Sequence, residues 1–207
     1  MAVAEWTPRL RIEQAGSEIL QGTARALELE EVQSAEIQRL IQAMFATLSG
    51  VGVGLAAPQV GIGLQIVVVE DSPEYQAGVP ADVLRDQERV PVPAHVLINP
   101  TLTLEDGALA EYFEGCLSVE GYRAIVPRSR RVRVRAWDRS GEPFEQEATG
   151  WYARILQHEV DHLGGRLYLE RMLPRTFVSA ASAAQRWSNL PIEQAKRLLG
   201  ATSRPAH

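Results

Sequence analysis

The chain has one cysteine among its 207 residues, Cys116, which excludes an intramolecular disulfide. It also lacks an apolar run long enough for a membrane-spanning helix. The formal net charge is −5, which argues against nucleic-acid binding by the whole surface. The N-terminal residues have no apolar core behind a basic start, so the sequence predicts a cytoplasmic protein.

The composition that remains is ordinary for a globular protein, with 45% hydrophobic and 23% charged residues. The length predicts a single domain over residues 1–207. Residues 71–94 contain four prolines and no sustained period, so we expect a loop insertion between strands. Residues 173–207 carry five basic side chains against one acidic, and we expect a basic C-terminal extension.

Two segments have the apolar period of a helix. In residues 34–49 apolar side chains recur every three or four positions, with Ser34 as a possible cap and a glycine just past the end. Residues 151–163 repeat this pattern and end at a pair of glycines. Short β-branched runs predict strands at 64–70, 95–104 and 130–137.

The run at 130–137 alternates strictly and is followed by a turn and a second strand-like segment, which predicts a hairpin. Its arginines suggest nucleic-acid binding at first sight. We instead expect Arg133 and Arg135 to face Glu145 and Glu147 across the hairpin as a salt-bridged, solvated surface.

The second predicted helix carries the motif "QHEVDH" at residues 157–162. His158 and His162 lie one turn apart on the apolar face of this helix, close enough to hold one metal ion. A catalytic site of this kind takes three protein ligands and leaves a position for water. The two histidines therefore predict a metal site that needs a third ligand.

The third ligand is not part of the same helix. One group of metalloenzymes continues the motif with a histidine, but that position holds Tyr168 here. Glu170 lies too close to the helix, and Glu193 falls in a polar segment that we expect to be peripheral. Cys116 is the remaining candidate, because a thiolate with two neutral imidazoles forms a sound tetrahedral set with one open position.

Three motifs together carry a resemblance to a known family: "GVGLAAPQ" at 52–59, "EGCLS" at 114–118 and "QHEVDH" at 157–162. In this order they resemble the motifs of the peptide deformylases, and the resemblance extends from about the first strong helix to residue 172. It implies an α+β fold, with mixed or antiparallel strands around a central helix that carries the His-Glu-x-x-His motif, and a mononuclear metal site.

The resemblance also implies a role for each matching residue. The metal ligands would be Cys116, His158 and His162, and Glu159 would be the catalytic acid and base. The oxyanion donors would be Gln59 and the backbone N–H of Leu117. The substrate would be bound by Gly52, Val53, Gly54, Gly115 and Arg123. Arg123 could instead pair with Glu114 and brace the metal loop. The resemblance points to Fe²⁺, while ligand softness also allows Zn²⁺, Ni²⁺ or Co²⁺.

The activity implied is removal of the formyl group from the N-terminal formyl-methionine of nascent polypeptides, which releases formate. The expected partners are those polypeptides, and we expect neither DNA nor a membrane as a partner. A weak ribosome contact through the basic extension is a further hypothesis. Two alternatives remain: a metallopeptidase, which would digest unformylated peptides, and a structural metal module or RNA-binding adaptor. A structural site needs a fourth ligand, and no candidate lies near the other three in sequence.

Overall fold

The computed structural model of the chain describes residues 9–105, 107–187 and 190–201. The strands are β1 (Gly54–Ala56), β2 (Ile66–Asp71), β3 (Val92–Leu104), β4 (Leu109–Cys116), β5 (Val119–Ser129), β6 (Arg131–Trp137), β7 (Pro143–Thr149) and β8 (Val178–Ser179). They form a five-stranded sheet in the order β1-β2-β3-β6-β7 and a three-stranded sheet in the order β4-β5-β8. Every strand pair in both sheets is antiparallel.

The helices lie between and beside these strands. The α-helices are α1 (Leu29–Val32), α2 (Ala35–Leu48), α3 (Pro73–Gln76), α4 (Ala81–Asp86), α5 (Gly150–Leu163), α6 (Ala180–Ser182) and α7 (Ile192–Leu198). Short 3-10 turns cover Glu18–Leu20, Ala57–Val60, Tyr168–Glu170 and Pro174–Thr176, and a π-helical turn covers Ala183–Trp187. The predicted α+β class, with antiparallel strands around a central helix, is confirmed.

The two long helices begin and end where the sequence predicts. The Ser34 hydroxyl accepts the N–H of Ile37 at 3.3 Å and caps α2, and Gly50 follows the helix with a positive φ of 78°. Helix α5 ends at Gly164, whose N–H bonds back to the last turn, and Gly165 adopts φ of 70°. Left-handed backbone of this kind favours glycine and stops a helix.

The large sheet is covered on both faces, and β2 shows why its sequence is a continuous apolar run. Val67 and Val69 pack into the cluster that contains the apolar side of α5, whereas Ile66 and Val68 pack into the cluster built around α2. Successive side chains of a strand point to opposite faces, so a strand between two helices is apolar at every position. Helix α5 is thereby held against the sheet, with its other side toward β4 and β5.

The hairpin of β6 and β7 confirms the ion-pair interpretation of its arginines. Arg133 contacts Glu145 at 3.2 Å and Glu147 at 2.9 Å, and Arg135 contacts Glu145 at 2.5 Å. These side chains are all partly exposed, whereas the opposite face of β6 is buried in the core. The surface is a network of exposed ion pairs.

Residues 71–94 differ from the predicted loop. They contain the last residue of β2, both short helices α3 and α4, and the first residues of β3. The helices are too short to give a periodic signal in the sequence. Asp71 is fully buried at the end of β2 and accepts two hydrogen bonds of 2.8 Å from Arg89, which ties the two ends of the segment together.

The C-terminal residues dock on the small sheet. Strand β8 pairs with β5 through Tyr122 opposite Ser179 and Arg123 opposite Val178. Lys196 of α7 forms ion pairs with Glu111 of β4 and with its own neighbour Glu193. Part of the predicted basic extension is thus engaged with the body, while Arg204 lies outside the described residues. No helix of the described chain is long and apolar enough to cross a membrane.

Candidate metal centre

Two elements bring the three predicted metal ligands together. Helix α5 carries His158 and His162 on successive turns, and Cys116 is the last residue of β4. One ligand atom from each lies within 4.8 Å of the others, and the Cys116 Sγ atom is 3.3 Å from Nε2 of His162. Since β4 belongs to one sheet and α5 packs on the other, the centre lies where the two halves of the fold meet.

Glu114 orients one of these ligands. Its Oε2 atom lies 3.0 Å from Nδ1 of His158, which leaves the Nε2 side of that ring free for a metal. Arg128 forms two hydrogen bonds of 3.0 Å to the same carboxylate, and Arg154 adds a third of 2.5 Å. Although burial opposes it, the hydrogen bond to His158 and the charge of Arg128 hold the pKa of Glu114 far below its usual range.

The alternative in which Arg123 pairs with Glu114 is wrong, and the strand register gives the reason. Gly115 is directly opposite Arg123, so Arg123 shares a face with Gly115 and points away from the face of Glu114. Residues 110, 112 and 114 pair with 128, 126 and 124. Arg128 therefore lies on the Glu114 face, five residues beyond the position that the sequence suggested.

Arg128 also links the second histidine to the same network. It contacts Oδ2 of Asp161 at 2.5 Å, and Asp161 precedes His162 in the helix. Arg171 adds two further hydrogen bonds to Asp161, at 2.6 and 2.7 Å. These arginines were missed by the sequence reasoning, because nothing in a single strand or helix pattern identifies which buried cation will meet which carboxylate.

The chemistry of the donor set fits a divalent cation. Burial and the positive charge of its neighbours hold the pKa of His162 well below its usual value, so its imidazole is neutral and can donate an electron pair. Despite burial, hydrogen bonds to Cys116 and Glu114 raise the pKa of His158. The negative charge around His158 favours a cation between the ligands. Among the described residues, Nδ1 of His162 is buried without a hydrogen-bond partner.

Glu159 lies beside the ligands, against the first residue of β1. Burial raises the pKa of its carboxyl to about 7, and its Oε2 atom has no hydrogen-bond partner in the described part of the chain. A Cβ atom added to Gly54 would lie 2.8 Å from Cγ of Glu159, which is closer than real Cβ contacts. Glycine at this position is therefore what lets the carboxylate and β1 approach each other.

Gln59 lies on the other side of the cysteine. Its Oε1 atom accepts the N–H of Ala56 at 2.9 Å, so its Nε2 atom faces the centre, 3.5 Å from Sγ of Cys116 and 3.3 Å from the Ser118 hydroxyl. Leu117 follows Cys116 in the turn between β4 and β5 and lines the same pocket. The predicted oxyanion donors thus lie next to the predicted ligands.

These residues form one wall of a cavity of about 390 Å³. The cavity is also lined by Gly52, Val53, Gly54, Gly115 and Arg123, the residues predicted to bind substrate. The cavity also has an apolar patch formed by Phe113, Trp151 and the buried Ile155, with the guanidinium groups of Arg89 and Arg154 over the Trp151 ring. Val51, which is exposed, lines it as well. The cavity therefore combines two predicted metal ligands, Cys116 and His158, with an apolar patch and is open to solvent on one side.

Comparison with known proteins places this architecture in a family. The model of the polypeptide deformylase family matches residues 9–177. The chain is 47% identical over 167 residues to the chloroplastic peptide deformylase 1A of Solanum lycopersicum. The aligned region covers 80% of this chain and 60% of that protein. It is 42% identical over 192 residues to peptide deformylase 1 of Streptomyces coelicolor, covering 92% of this chain and 86% of that protein.

A solved structure agrees with these sequence matches. The class I type b peptide deformylase of Acinetobacter baumannii, crystallised with Met-Ala-Ser bound, superimposes with a TM-score of 0.71 at 34% identity. The match covers 81% of this chain and all of that one. With a family match over most of its length and relatives of this similarity, the chain belongs to the peptide deformylase family.

Proposed function

We propose that this protein is a metal-dependent hydrolase that removes the formyl group from the N-terminal formyl-methionine of nascent polypeptides and releases formate. The observation that carries the proposal is the convergence of Cys116, His158 and His162, with Cys116, His158 and Glu159 lining a cavity that also has an apolar patch. The bound Met-Ala-Ser of the Acinetobacter relative supports a peptide ligand that begins with methionine.

Hydrolysis of a formamide needs a nucleophile at neutral pH, a stabilised oxyanion and a proton for the leaving amine. A divalent cation held by Cys116, His158 and His162 would supply the first, because such an ion lowers the pKa of water toward ~7. Glu159 would accept the proton of the attacking water at its carboxylate and return it to the leaving nitrogen. Proton transfer by a positioned side chain accelerates such reactions by roughly 10²–10⁴.

The developing oxyanion would be held by Gln59 and the backbone N–H of Leu117. The Gln59 amide is fixed in orientation by its hydrogen bond to Ala56, so its N–H group is already aimed at the site before substrate binds. A preorganised donor of this kind is typically worth about 3–4 kcal/mol in the transition state. This arrangement supports acyl-group hydrolysis.

The peptide would bind along β1 as an added strand. Strand β1 is at the end of its sheet and pairs with β2 on one side only among the described strands. An extended peptide can add to such an edge through backbone hydrogen bonds and be held whatever its sequence. The apolar patch of Phe113, Trp151 and Ile155 lines the same cavity as His158, and we propose that it receives the methionine side chain.

We propose Fe²⁺ as the working metal, with Zn²⁺, Ni²⁺ or Co²⁺ able to take its place at a Cys/His₂ site. The iron-loaded enzyme should lose activity in air, because the ion and its thiolate ligand both oxidise, and the nickel-loaded enzyme should last longer. Equal lifetimes would count against iron. Metal analysis of Cys116→Ala should find no stoichiometric metal.

The experiment that tests the proposal is a formate-release assay on formyl-Met-Ala-Ser, with protein purified anaerobically and its metal content measured. We expect formate and free Met-Ala-Ser, with no cleavage of the unformylated tripeptide. Digestion of unformylated peptides would instead identify a metallopeptidase. Tightly bound metal without any formate release would favour a structural metal module.

The weak ribosome contact and the cytoplasmic location remain predictions. Since Lys196 is engaged in ion pairs, a contact through the C-terminal residues would depend on the other four basic residues, Arg175, Arg186, Arg197 and Arg204. Ribosome co-sedimentation should then weaken with salt and with alanine at these four positions. Cell fractionation tests the location.

A further inference from the structure

An exposed pair of aromatic rings reaches the cavity through Tyr122, one of its lining residues. Tyr122 of β5 and Phe177, just before β8, stack face to face with their centroids 4.8 Å apart and their planes 7° from parallel. Tyr122 is 47% exposed and Phe177 is 38% exposed, although both side chains are large and mostly apolar. The pairing of β8 with β5 fixes this arrangement, because Tyr122 is directly opposite Ser179.

The stacked pair is continuous with the metal site. Tyr122 and Ala180 line the same cavity as Cys116 and His158. Arg123, the neighbour of Tyr122, is paired with Gly115 across the two strands, which places the Tyr122 backbone about one strand spacing, ~4.8 Å, from the chain beside Cys116. Tyr122 therefore lies on the strand next to the one that ends in Cys116, and Phe177 stacks on it.

A peptide bound for deformylation must leave through the open side of the cavity. Its first side chain would occupy the apolar patch, and the rest of the chain would continue past the exposed lining residues, among them Val51 and Tyr122. An extended peptide advances ~3.3–3.6 Å per residue. Its side chains alternate, so the second residue points away and the third returns to the side of the first.

We propose that the Tyr122–Phe177 pair is a binding surface for the third residue of the substrate and favours a planar, aromatic side chain there. This inference rests on the proposed function and specifies which formylated peptides the site prefers. A third ring can add to the existing stack, because both rings keep exposed surface. The contact is remote from the formyl group, so it should act through substrate binding.

The test compares formyl-Met-Ala-Phe with formyl-Met-Ala-Ala on the metal-loaded enzyme. An aromatic contact of this type predicts a kcat/KM about 3- to 10-fold higher for the phenylalanine peptide, mainly through a lower KM. In Phe177→Ala the preference should fall to about 1, while the alanine peptide is cleaved as before. Leu198→Ala removes an exposed apolar side chain, 62% exposed against 38% for Phe177, from the same C-terminal region and should keep the preference.

A second pair of peptides tests the register. Formyl-Met-Phe-Ala should gain nothing over formyl-Met-Ala-Ala, because its aromatic ring points away from the protein. The inference is overturned by equal rates for the first pair, by a preference that survives in Phe177→Ala, or by a preference at the second residue instead. If Phe177→Ala has a lowered melting temperature, Phe177→Leu is the alternative variant. It keeps packing on Tyr122 and should lose the preference for the phenylalanine peptide in the same way. Absence of formate from every peptide would refute the proposed function instead.

Discussion

Nδ1 of His158 lies 3.0 Å from Oε2 of Glu114, a carboxylate that two buried arginines also hold. The bond fixes the ring of a predicted metal ligand, and the arginines fix the carboxylate. Cys116, another predicted ligand, is two residues further along the same strand. Glu114 therefore couples the position of β4 to that of α5, and we expect it to control how tightly the metal is held.

Replacing Glu114 by glutamine should lower metal affinity by about 10- to 100-fold, because the orienting charge is lost while the side-chain shape is kept. Chelator competition measures this directly. Glu111→Gln, three residues earlier on the same strand and paired with Lys196, is the matched control and should hold metal as the natural protein does. Unchanged affinity in Glu114→Gln would show that the bond does not orient the ligand.

Arg128 should contribute far more to stability than Arg171, although both contact Asp161. Arg128 is 3% exposed, and Arg128→Met leaves two buried carboxylates without their shared cation, a loss of about 3–5 kcal/mol. Arg171 is 41% exposed, so Arg171→Met should cost less than about 1 kcal/mol. Urea denaturation of the two variants decides the point, and equal losses would mean that burial is not what matters.

Glu159→Gln should keep the fold and the metal but lower kcat by at least about 10²-fold, since the amide cannot accept and return a proton. Circular dichroism and metal analysis provide the controls. Near-normal turnover would require a different base.

Gly54→Ala should leave the protein folded but lower turnover, by as much as ~10² where the carboxylate moves by about 1 Å. The reason is that the new methyl group would lie 2.8 Å from Cγ of Glu159. Gly63→Ala is the matched control, because a Cβ there meets only Ile19 Cδ1 at 3.6 Å, an ordinary contact. Equal activity of the two variants would contradict the close fit between β1 and Glu159.

The sequence predicts the parts of this fold whose information is local. The period of apolar residues defines α2 and α5, and strict alternation defines the hairpin that carries Arg133 and Arg135. The spacing of His158 and His162 places both on one helical face, and the lone Cys116 completes the set in space. Each of these inferences depends on residues close in the chain or on a very small number of candidates.

The rest depends on contacts between distant segments. Arg128 could be identified as the partner of Glu114 only from the register of β4 against β5, and that register cannot be read from either strand alone. Helices α3 and α4 are too short for a periodic signal, and they are stabilised by context such as the buried Asp71–Arg89 pair. The stack of Tyr122 on Phe177 likewise joins residues far apart in sequence.

The central claim is that the site hydrolyses a formyl group, and a matched pair of substrates tests it most directly. In the proposed site the formyl carbon would lie between the predicted metal ligands, Gln59 and the backbone N–H of Leu117. A hydrogen on that carbon would leave it in place, whereas a methyl group would displace it. A displacement of about 1 Å can cost ~10² in rate. We therefore predict that kcat/KM for formyl-Met-Ala-Ser is at least about a hundredfold above that for acetyl-Met-Ala-Ser. Near-equal values would identify a general amidase and contradict the account.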